Sequence, residues 1–414
     1  MSAMAGTGVA ARILQRAILS PWLVAGQGAA ALAVSMGIGR FVYTPILPLM
    51  HAQAGLSSTA GAALATANYI GYLVGALAGI LLPRVVRSAA VLRVCLVTLI
   101  ATLALMPAAN ADIAWFGLRL IAGVSTALIF VVAVTAVLSQ SREHGPYVTG
   151  WVFGGVGAGI ALSGTLVFAV AQVSDWRTAW WASAALAVLL AGGAWNLEPE
   201  AAPAAAPVPA TAPVPVTAPA PAAAPVPATV TLPPRVHRWF AALLASYTLE
   251  GVGYVIAGTF LVAAIDQGAP AWAGSGAWVL VGLAALPGPL LWARLSRRWS
   301  RPSLLLAALV IQAAGIVLPA VAGGVTAALV GAFFFGITFI AIASMVLEIG
   351  AHLRFPRAVA VLTTGYSLGQ ILGPLLVTPL LHHGYHQALV VSAFVVLAAG
   401  VAAGVLRVGF PRVA

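Results

Sequence analysis

Long apolar runs separated by short polar stretches fill most of the chain. Each run has about 20 residues, which at ~1.5 Å per residue crosses the ~30 Å hydrocarbon layer of a bilayer. The runs are continuously apolar and do not alternate, so the pattern predicts membrane-spanning helices and disfavours barrel strands. We place helices at residues 22–50, 60–82, 89–109, 112–138, 147–171, 177–197, 238–265, 272–293, 303–322, 325–348, 356–381 and 385–407.

Composition agrees with this pattern. The chain is 62% hydrophobic and 7% charged, with a mean hydropathy of +1.05, whereas soluble domains carry about 25% charged residues. The formal charge is +11, but the basic residues fall in small clusters between apolar runs, so we predict no nucleic-acid partner. The fold class is therefore all-α, a polytopic membrane protein with twelve transmembrane helices.

The arginines provide an independent test of the helix count. All 19 basic residues are arginine, and sixteen of them fall on alternate loops or tails, with only Arg177 on the opposite side. This is the distribution that the positive-inside rule describes. We therefore expect both termini to be cytoplasmic and the protein to lie in the inner (plasma) membrane, with an uncleaved first helix.

A low-complexity segment divides the chain. Residues 198–234 contain twelve prolines among alanine, valine and threonine, a composition that has no core to bury and is typical of a linker. We predict an N-terminal six-helix bundle at 1–197, a cytoplasmic linker at 198–234 and a C-terminal six-helix bundle at 235–414.

The two halves resemble each other. Gly37-Ile38-Gly39-Arg40 in the first helix matches Gly251-Val252-Gly253-Tyr254 in the seventh. Other weak matches lie at nearly the same offset, so a duplicated six-helix unit is indicated. Duplicated parallel halves around a midplane site are the architecture of many secondary transporters.

These features resemble the major facilitator superfamily. The segment GIGRFVYTPILPLM at 37–50, together with YTLEGVGYVIAGTFL at 247–261, is similar to the YbfB/YjiJ-type branch of bacterial transporters. The resemblance implies two pseudo-symmetric bundles, with helices one and seven lining a central cavity. The aspartate usual in the superfamily after helix two is missing here, as it is at 293–302. We expect gating at the cytoplasmic end to involve Arg84, Arg87, Arg297, Arg298 and Glu348, the last paired with Arg354 or Arg357.

Charged residues at membrane depth are the candidates for mechanism, because each is expensive in lipid. Arg40 is either a substrate-binding cation or half of a structural ion pair. Glu250 lies one helical turn before the position equivalent to Arg40, so it is either a proton carrier or the permanent partner of Arg40. Arg119 either tunes a protonated carboxyl or pairs with Asp112 or Asp175.

Uncharged polar residues in the same helices are candidates for hydrogen bonds to a ligand, although tyrosines in bundles also serve as ordinary packing residues. The spacing of His382, His383 and His386 lacks a neighbouring acid or cysteine, so we predict no metal site and no cofactor. The predicted ligand-binding set, besides Arg40, is Tyr43, Asn68, Tyr69, Tyr254, Tyr366 and Gln370.

The sequence thus predicts a secondary transporter of a small organic solute, proton-coupled and rocking its two bundles around a midplane cavity. The arginine favours an anionic group on the substrate. A multidrug or amphiphile exporter is the alternative, and a non-transporting sensor or an intramembrane enzyme are further ones. We predict that it is not an enzyme, because no catalytic cluster lies at membrane depth, and that a monomer suffices.

Overall fold

Twelve long helical segments make up most of the computed structural model, which describes residues 22–140, 145–199, 233–270, 272–353, 355, 357–408 and 410. The predicted linker lies almost wholly outside the described residues, as do Arg12, Arg16, Arg142, Arg354 and Arg412. The segments are α1 Trp22–Ala54, α2 Ser58–Leu81, α3 Ala89–Leu105, α4 Asp112–Gln140, α5 Gly145–Ala171, α6 Trp176–Ala194, α7 Pro234–Asp266, α8 Trp272–Ala285 with Gly288–Leu295, α9 Arg301–Val321, α10 Gly324–His352, α11 Ala358–Val377 and α12 Tyr385–Val405.

Most of these helices are long and apolar enough to cross a membrane. Within the described residues ten meet that condition, and the two parts of α8, bent by 44°, make an eleventh. Helix α6 does not meet it, because Arg177 and three tryptophans lower its hydropathy. The segment is nevertheless a 19-residue helix, packed against α3 and α5.

Local chemistry explains where the helices begin, end and break. Gly55 ends α1 in the left-handed conformation, with φ of 68°, which glycine adopts without strain. Ser57 accepts a hydrogen bond from the Ala60 N–H and so caps the start of α2. Pro287 lies between the two parts of α8, where its missing N–H interrupts the helical ladder.

Helix packing follows a two-fold pseudo-symmetry. Helix α1 packs against α5 as α7 packs against α11, and α2 packs against α4 as α8 packs against α10. Between the halves, α5 packs against α8 and α2 packs against α11, which are equivalent pairs in a duplicated chain. The protein therefore has the two six-helix bundles of the major facilitator type.

Helices α1 and α7 meet where this pseudo-symmetry relates them. Arg40 donates to the Tyr254 hydroxyl over 3.2 Å, and these residues are 214 positions apart in the chain. Thr44 donates to the Gly258 carbonyl, and these are also 214 apart. Positions that correspond in the two repeats thus contact each other, so the predicted offset of 214 coincides with a physical axis between the bundles.

Glycines allow the closest helix approaches. A Cβ atom on Gly37 would lie 2.5 Å from the Gly159 Cα in α5, so α1 and α5 touch through backbone. A Cβ atom on Gly282 of α8 would clash with the Ala161 nitrogen in α5. The glycines of α5 are thus helix-packing residues on both sides, within the N-terminal bundle and against the C-terminal one.

Candidate functional site

Helix α1 departs from α-helical geometry just before the buried arginine. Residues Ala33–Arg40 form a π-helix, in which Phe41 N–H donates to the Met36 carbonyl, five residues back, over 3.2 Å. Thr44 N–H then donates to the Phe41 carbonyl, only three residues back. This change of register leaves the Arg40 carbonyl without its usual partner from Thr44. Such π-helical segments are frequent at functional sites.

Arg119 of α4 stabilises this irregular segment. Its Nη1 donates to the Gly39 carbonyl over 3.1 Å and its Nη2 to the Arg40 carbonyl over 3.4 Å. The guanidinium lies 4.8 Å from the centre of the Tyr43 ring, and Asn68 Nδ2 donates to the Arg119 carbonyl over 3.1 Å. Arg119 therefore serves as a clamp on the backbone of α1.

The acidic partners predicted for Arg119 are elsewhere. Asp175 caps α6, accepting hydrogen bonds from the Thr178 N–H and Oγ1, both over 2.9 Å. These bonds hold the pKa of Asp175 below its ordinary value. Asp112 is exposed at the start of α4. The prediction that Arg119 pairs with Asp112 or Asp175 is wrong, because backbone carbonyls at membrane depth satisfy the guanidinium instead.

Arg40 is almost fully buried, with 3% of its surface exposed. Its guanidinium lies between the rings of Tyr69 and Tyr72, 4.7 Å from each centre, and its Nη2 donates to Tyr254. The Nε and Nη1 atoms have no hydrogen-bond partner. Neither of the two ion pairs among the described residues involves Arg40.

Tyr254 connects Arg40 to a group of buried aromatic rings, here called the aromatic cluster: Tyr247, Tyr254, Phe335, Phe339 and Tyr366. Tyr366 stacks on Tyr247 at 4.3 Å and on Tyr254 at 5.7 Å between ring centres. Tyr254 stacks on Phe339 at 5.9 Å. The cluster thus draws rings from α7, α10 and α11 to one side of Arg40.

Polar groups lie within the same region. Gln370 Nε2 approaches the Tyr254 hydroxyl at 3.5 Å, while its Oε1 has no partner. Tyr69 is hydrogen-bonded to Thr259 Oγ1 over 3.0 Å. Tyr43 donates to the Gly61 carbonyl over 2.8 Å. Of the predicted ligand-binding residues, Tyr69, Tyr254, Tyr366 and Gln370 therefore surround Arg40, whereas Tyr43 and Asn68 pack around Arg119.

Glu250 has a different neighbour from the one predicted. It is 1% exposed, and its Oε1 accepts a hydrogen bond from Gln312 Nε2 of α9 over 3.4 Å. The Oε2 atom has no partner. The alternative of a permanent Arg40–Glu250 ion pair is wrong for this structure, because the side chain of Glu250 turns towards α9, inside the C-terminal bundle, and Tyr254 meets Arg40 instead.

The buried charges do not balance. Among the described residues the buried charged side chains are Arg40, Arg119 and Glu250, two cations and one anion. Arg119 is occupied by carbonyls and Glu250 by Gln312, so the incompletely satisfied cation is Arg40. A buried guanidinium without a counterion is costly, and the centre of the protein is therefore electropositive.

Helix ends on one side of the bundles are joined by a polar contact, here called the latch: His51, Ser58 and Tyr385. The Tyr385 hydroxyl lies 2.7 Å from His51 Nε2 and 3.2 Å from Ser58 Oγ. The Nδ1 atom of His51 contacts the Leu56 carbonyl, an acceptor, so Nδ1 carries the proton and Nε2 accepts from Tyr385. The latch links the N-terminal bundle to α12.

The opposite side carries the predicted gating residues. Arg84, Arg87, Arg297 and Arg298 are all exposed. Glu348 at the end of α10 pairs with Arg301 at the start of α9, with 3.1 Å between Oε2 and Nε. The prediction that Glu348 pairs with Arg354 or Arg357 is therefore corrected, because the start of α9 brings Arg301 within reach. This pair stays within the C-terminal bundle.

Several residues of the site escaped the sequence analysis. Tyr247 could have been found, since it precedes Glu250 by three and Tyr254 by seven residues, which is helical spacing. Gln312 is a lone polar residue in an apolar helix and also gave a usable signal. His51 and Tyr385 gave none, because their contact joins residues 334 positions apart.

Two bundles, an axis between α1 and α7 and a buried polar centre define a polytopic membrane protein of the major facilitator fold. A family model described as "Uncharacterised MFS-type transporter YbfB" matches residues 32–404. The chain belongs to this family of major facilitator transporters. The predicted class and branch are thereby confirmed.

Among solved structures, the fold is similar to that of the nucleoside transporter NupG, whose crystal structure was determined for a mutant form. The TM-score is 0.65 with 14% sequence identity, over 92% of this chain and 99% of the other. At that identity the likeness concerns the fold alone. The comparison with curated proteins finds no match.

Proposed function

We propose that this protein is a secondary active transporter of a small organic solute with an anionic group, and that Arg40 binds that group. The observation that carries the proposal is the buried guanidinium with two unpartnered positions, Nε and Nη1. They are adjacent donors on one edge of a planar fork, the geometry that receives a carboxylate through two parallel hydrogen bonds. An anion there would also balance the buried charge.

The rest of the substrate is proposed to lie against the aromatic cluster. Its stacked rings offer flat apolar faces beside Arg40, and Gln370 Oε1 and Ser367 Oγ are buried without partners. These atoms would select polar groups on the solute. NupG, the structural neighbour, is described as a nucleoside transporter. A nucleoside is planar but uncharged, so it would use the cluster and leave Arg40 unsatisfied, which makes it a useful comparison ligand.

Glu250 is the proposed proton carrier. It lies four residues before Tyr254 on α7, about 6 Å along the helix axis, and its Oε2 atom is free to hold a proton. Binding of an anion at Arg40 would change the field at Tyr254 and hence at Glu250. A shift of α7 against α9 would lengthen the 3.4 Å contact with Gln312 and release or accept the proton.

The transport cycle is proposed to be a rocking of bundles 1–197 and 235–414, joined by the linker at 198–234. In this conformation the latch holds one side together, and breaking it would open the site to that side. The arginine distribution supports an orientation in which the latch faces away from the cytoplasm and both termini face it, in the inner membrane. Nothing in this cycle requires an enzymatic step, a cofactor or more than one copy.

A thermal-shift screen tests the proposed substrate class. The purified protein in detergent is heated with carboxylates, amino acids, sugars, nucleosides and cationic amphiphiles, because a ligand of the folded state raises the melting temperature. Stabilisation by carboxylates that is absent in Arg40→Gln supports the proposal. Arg93→Gln is the matched control, since Arg93 forms a surface pair with Glu198.

A multidrug exporter is the second candidate, and one observation favours it: the unpartnered Glu250 Oε2 beside an aromatic cluster would suit an organic cation. Stabilisation by cationic amphiphiles alone, lost in Glu250→Gln and retained in Arg40→Gln, would select this function. It would also make Arg40 a structural residue.

A further inference from the structure

A basic cavity lies at the end of the C-terminal bundle, remote from Arg40. It has a volume of about 570 Å³ and is lined by residues of the α8–α9 turn, the last residue of α10 and the segment after α12. Its basic lining residues are Arg297, Arg298, Arg301, Arg407 and His352. Among the described residues that line it there is no aspartate or glutamate, so the charge in the cavity has one sign.

Helix dipoles do not account for this charge. The ends of α8, α10 and α12 each contribute about −0.5 charge, and the start of α9 about +0.5. Their sum of about −1, with the additional −1 of Glu348 paired to Arg301, leaves an excess of roughly two positive charges from four arginines. The arginines therefore exceed what helix ends and the one ion pair require.

The start of α9 adds backbone donors to the cavity. Its N-cap residue, Ser300, gives no side-chain cap to the helix, because its Oγ donates to Ser303 Oγ over 2.9 Å. Uncapped N–H groups at a 21-residue helix, together with guanidinium groups, are the donor set that phosphate oxygens prefer.

The position of the cavity indicates where the phosphate comes from. Trp299, which lines it, is 62% exposed, and Trp239 nearby donates to the Val408 carbonyl and packs against Phe410. Tryptophans with one polar contact are typical of the headgroup level of a bilayer. A basic pocket at this level suits an anionic lipid headgroup.

We propose that this cavity is a binding site for a phosphate group, delivered by an anionic phospholipid of the cytoplasmic leaflet. It reassigns Arg297 and Arg298 from gating to lipid recognition. A bound headgroup would bridge the α8–α9 turn, the end of α10 and the segment after α12, and so fix this end of the bundle while the other bundle moves.

Native mass spectrometry of the whole protein tests the site. Protein from neutral phosphatidylcholine nanodiscs is incubated with cardiolipin, and separately with soluble glycerol 3-phosphate. The test variant is Arg298→Gln with Arg407→Gln, both exposed side chains, and the matched control is Arg84→Gln with Arg87→Gln, two exposed arginines on the same side of the N-terminal bundle. Thermal unfolding verifies that each variant is folded.

We expect retained cardiolipin to fall about thirtyfold in the test variant, because each arginine near an anionic surface contributes about fivefold, and to stay unchanged in the control. Selective binding of glycerol 3-phosphate without cardiolipin would keep the phosphate site and assign it to a soluble ligand. Equal binding of both probes by wild type and test variant, or equal loss in the control, would overturn the proposal.

Discussion

Tyr385→Phe removes the hydroxyl that joins the two bundles at the latch and leaves the ring in place. The ring stacks on Phe260 at 5.5 Å, so packing is retained. The lost contacts are those to His51 at 2.7 Å and Ser58 at 3.2 Å. The single hydroxyl proton serves one of them at a time, so the net loss is about 1–2 kcal/mol. That shifts the balance between latched and open conformations by about 5- to 30-fold.

Cysteine accessibility measures this shift. The buried Cys95 is replaced by serine, and Thr259→Cys serves as the reporter, because Thr259 is 1% exposed and contacts Tyr69 of the other bundle. We expect a membrane-impermeant thiol reagent to modify the reporter about 5- to 30-fold faster in Tyr385→Phe. Ser57→Ala is the control, since it removes a helix cap at the same end without touching the second bundle. Equal rates in Tyr385→Phe and the unaltered latch would refute the role of Tyr385.

Three further substitutions separate packing, clamp and coupling. Gly37→Ala forces a Cβ within 2.5 Å of the Gly159 backbone and should lower stability by about 1–3 kcal/mol, whereas Gly26→Ala, with open space around it, should not; thermal unfolding in detergent distinguishes them. Arg119→Gln should lose about 2–3 kcal/mol, because two charge-assisted bonds to α1 disappear, and unchanged unfolding would remove the clamp. Glu250→Gln should keep solute exchange between vesicle compartments and lose accumulation driven by a pH gradient; retained accumulation would exclude Glu250 as the proton carrier.

The fold was predictable to a considerable depth because membrane helices announce themselves locally. Continuous apolar runs place each helix within a few residues, and the repeated glycine motif in α1 and α7 indicates the duplication. The contact between Arg40 and Tyr254 follows from that repeat, since equivalent residues meet on the axis of a duplicated pair. Sequence period therefore carried both topology and one contact of the site.

The partners of the buried charges were not predictable in the same way. Helical spacing brings Glu250 close to Arg40 along α7 but does not say which way its side chain turns, and Gln312 on another helix decides that. Arg119 finds carbonyls that become available only through the π-helical turn of α1, and no residue pattern announced that turn. Pairings between distant helices depend on rotation about each axis, which apolar periodicity on a lipid-exposed helix constrains weakly.

Solute accumulation in proteoliposomes tests the central claim, that Arg40 binds the anionic group of the substrate. Wild type, Arg40→Gln, Arg40→Lys and the surface control Arg93→Gln are reconstituted at equal density, and uptake of the stabilising carboxylate is followed with an imposed pH gradient. The account predicts accumulation by wild type and the control, reduced accumulation by Arg40→Lys and none by folded Arg40→Gln. Accumulation by Arg40→Gln at the wild-type rate would contradict it.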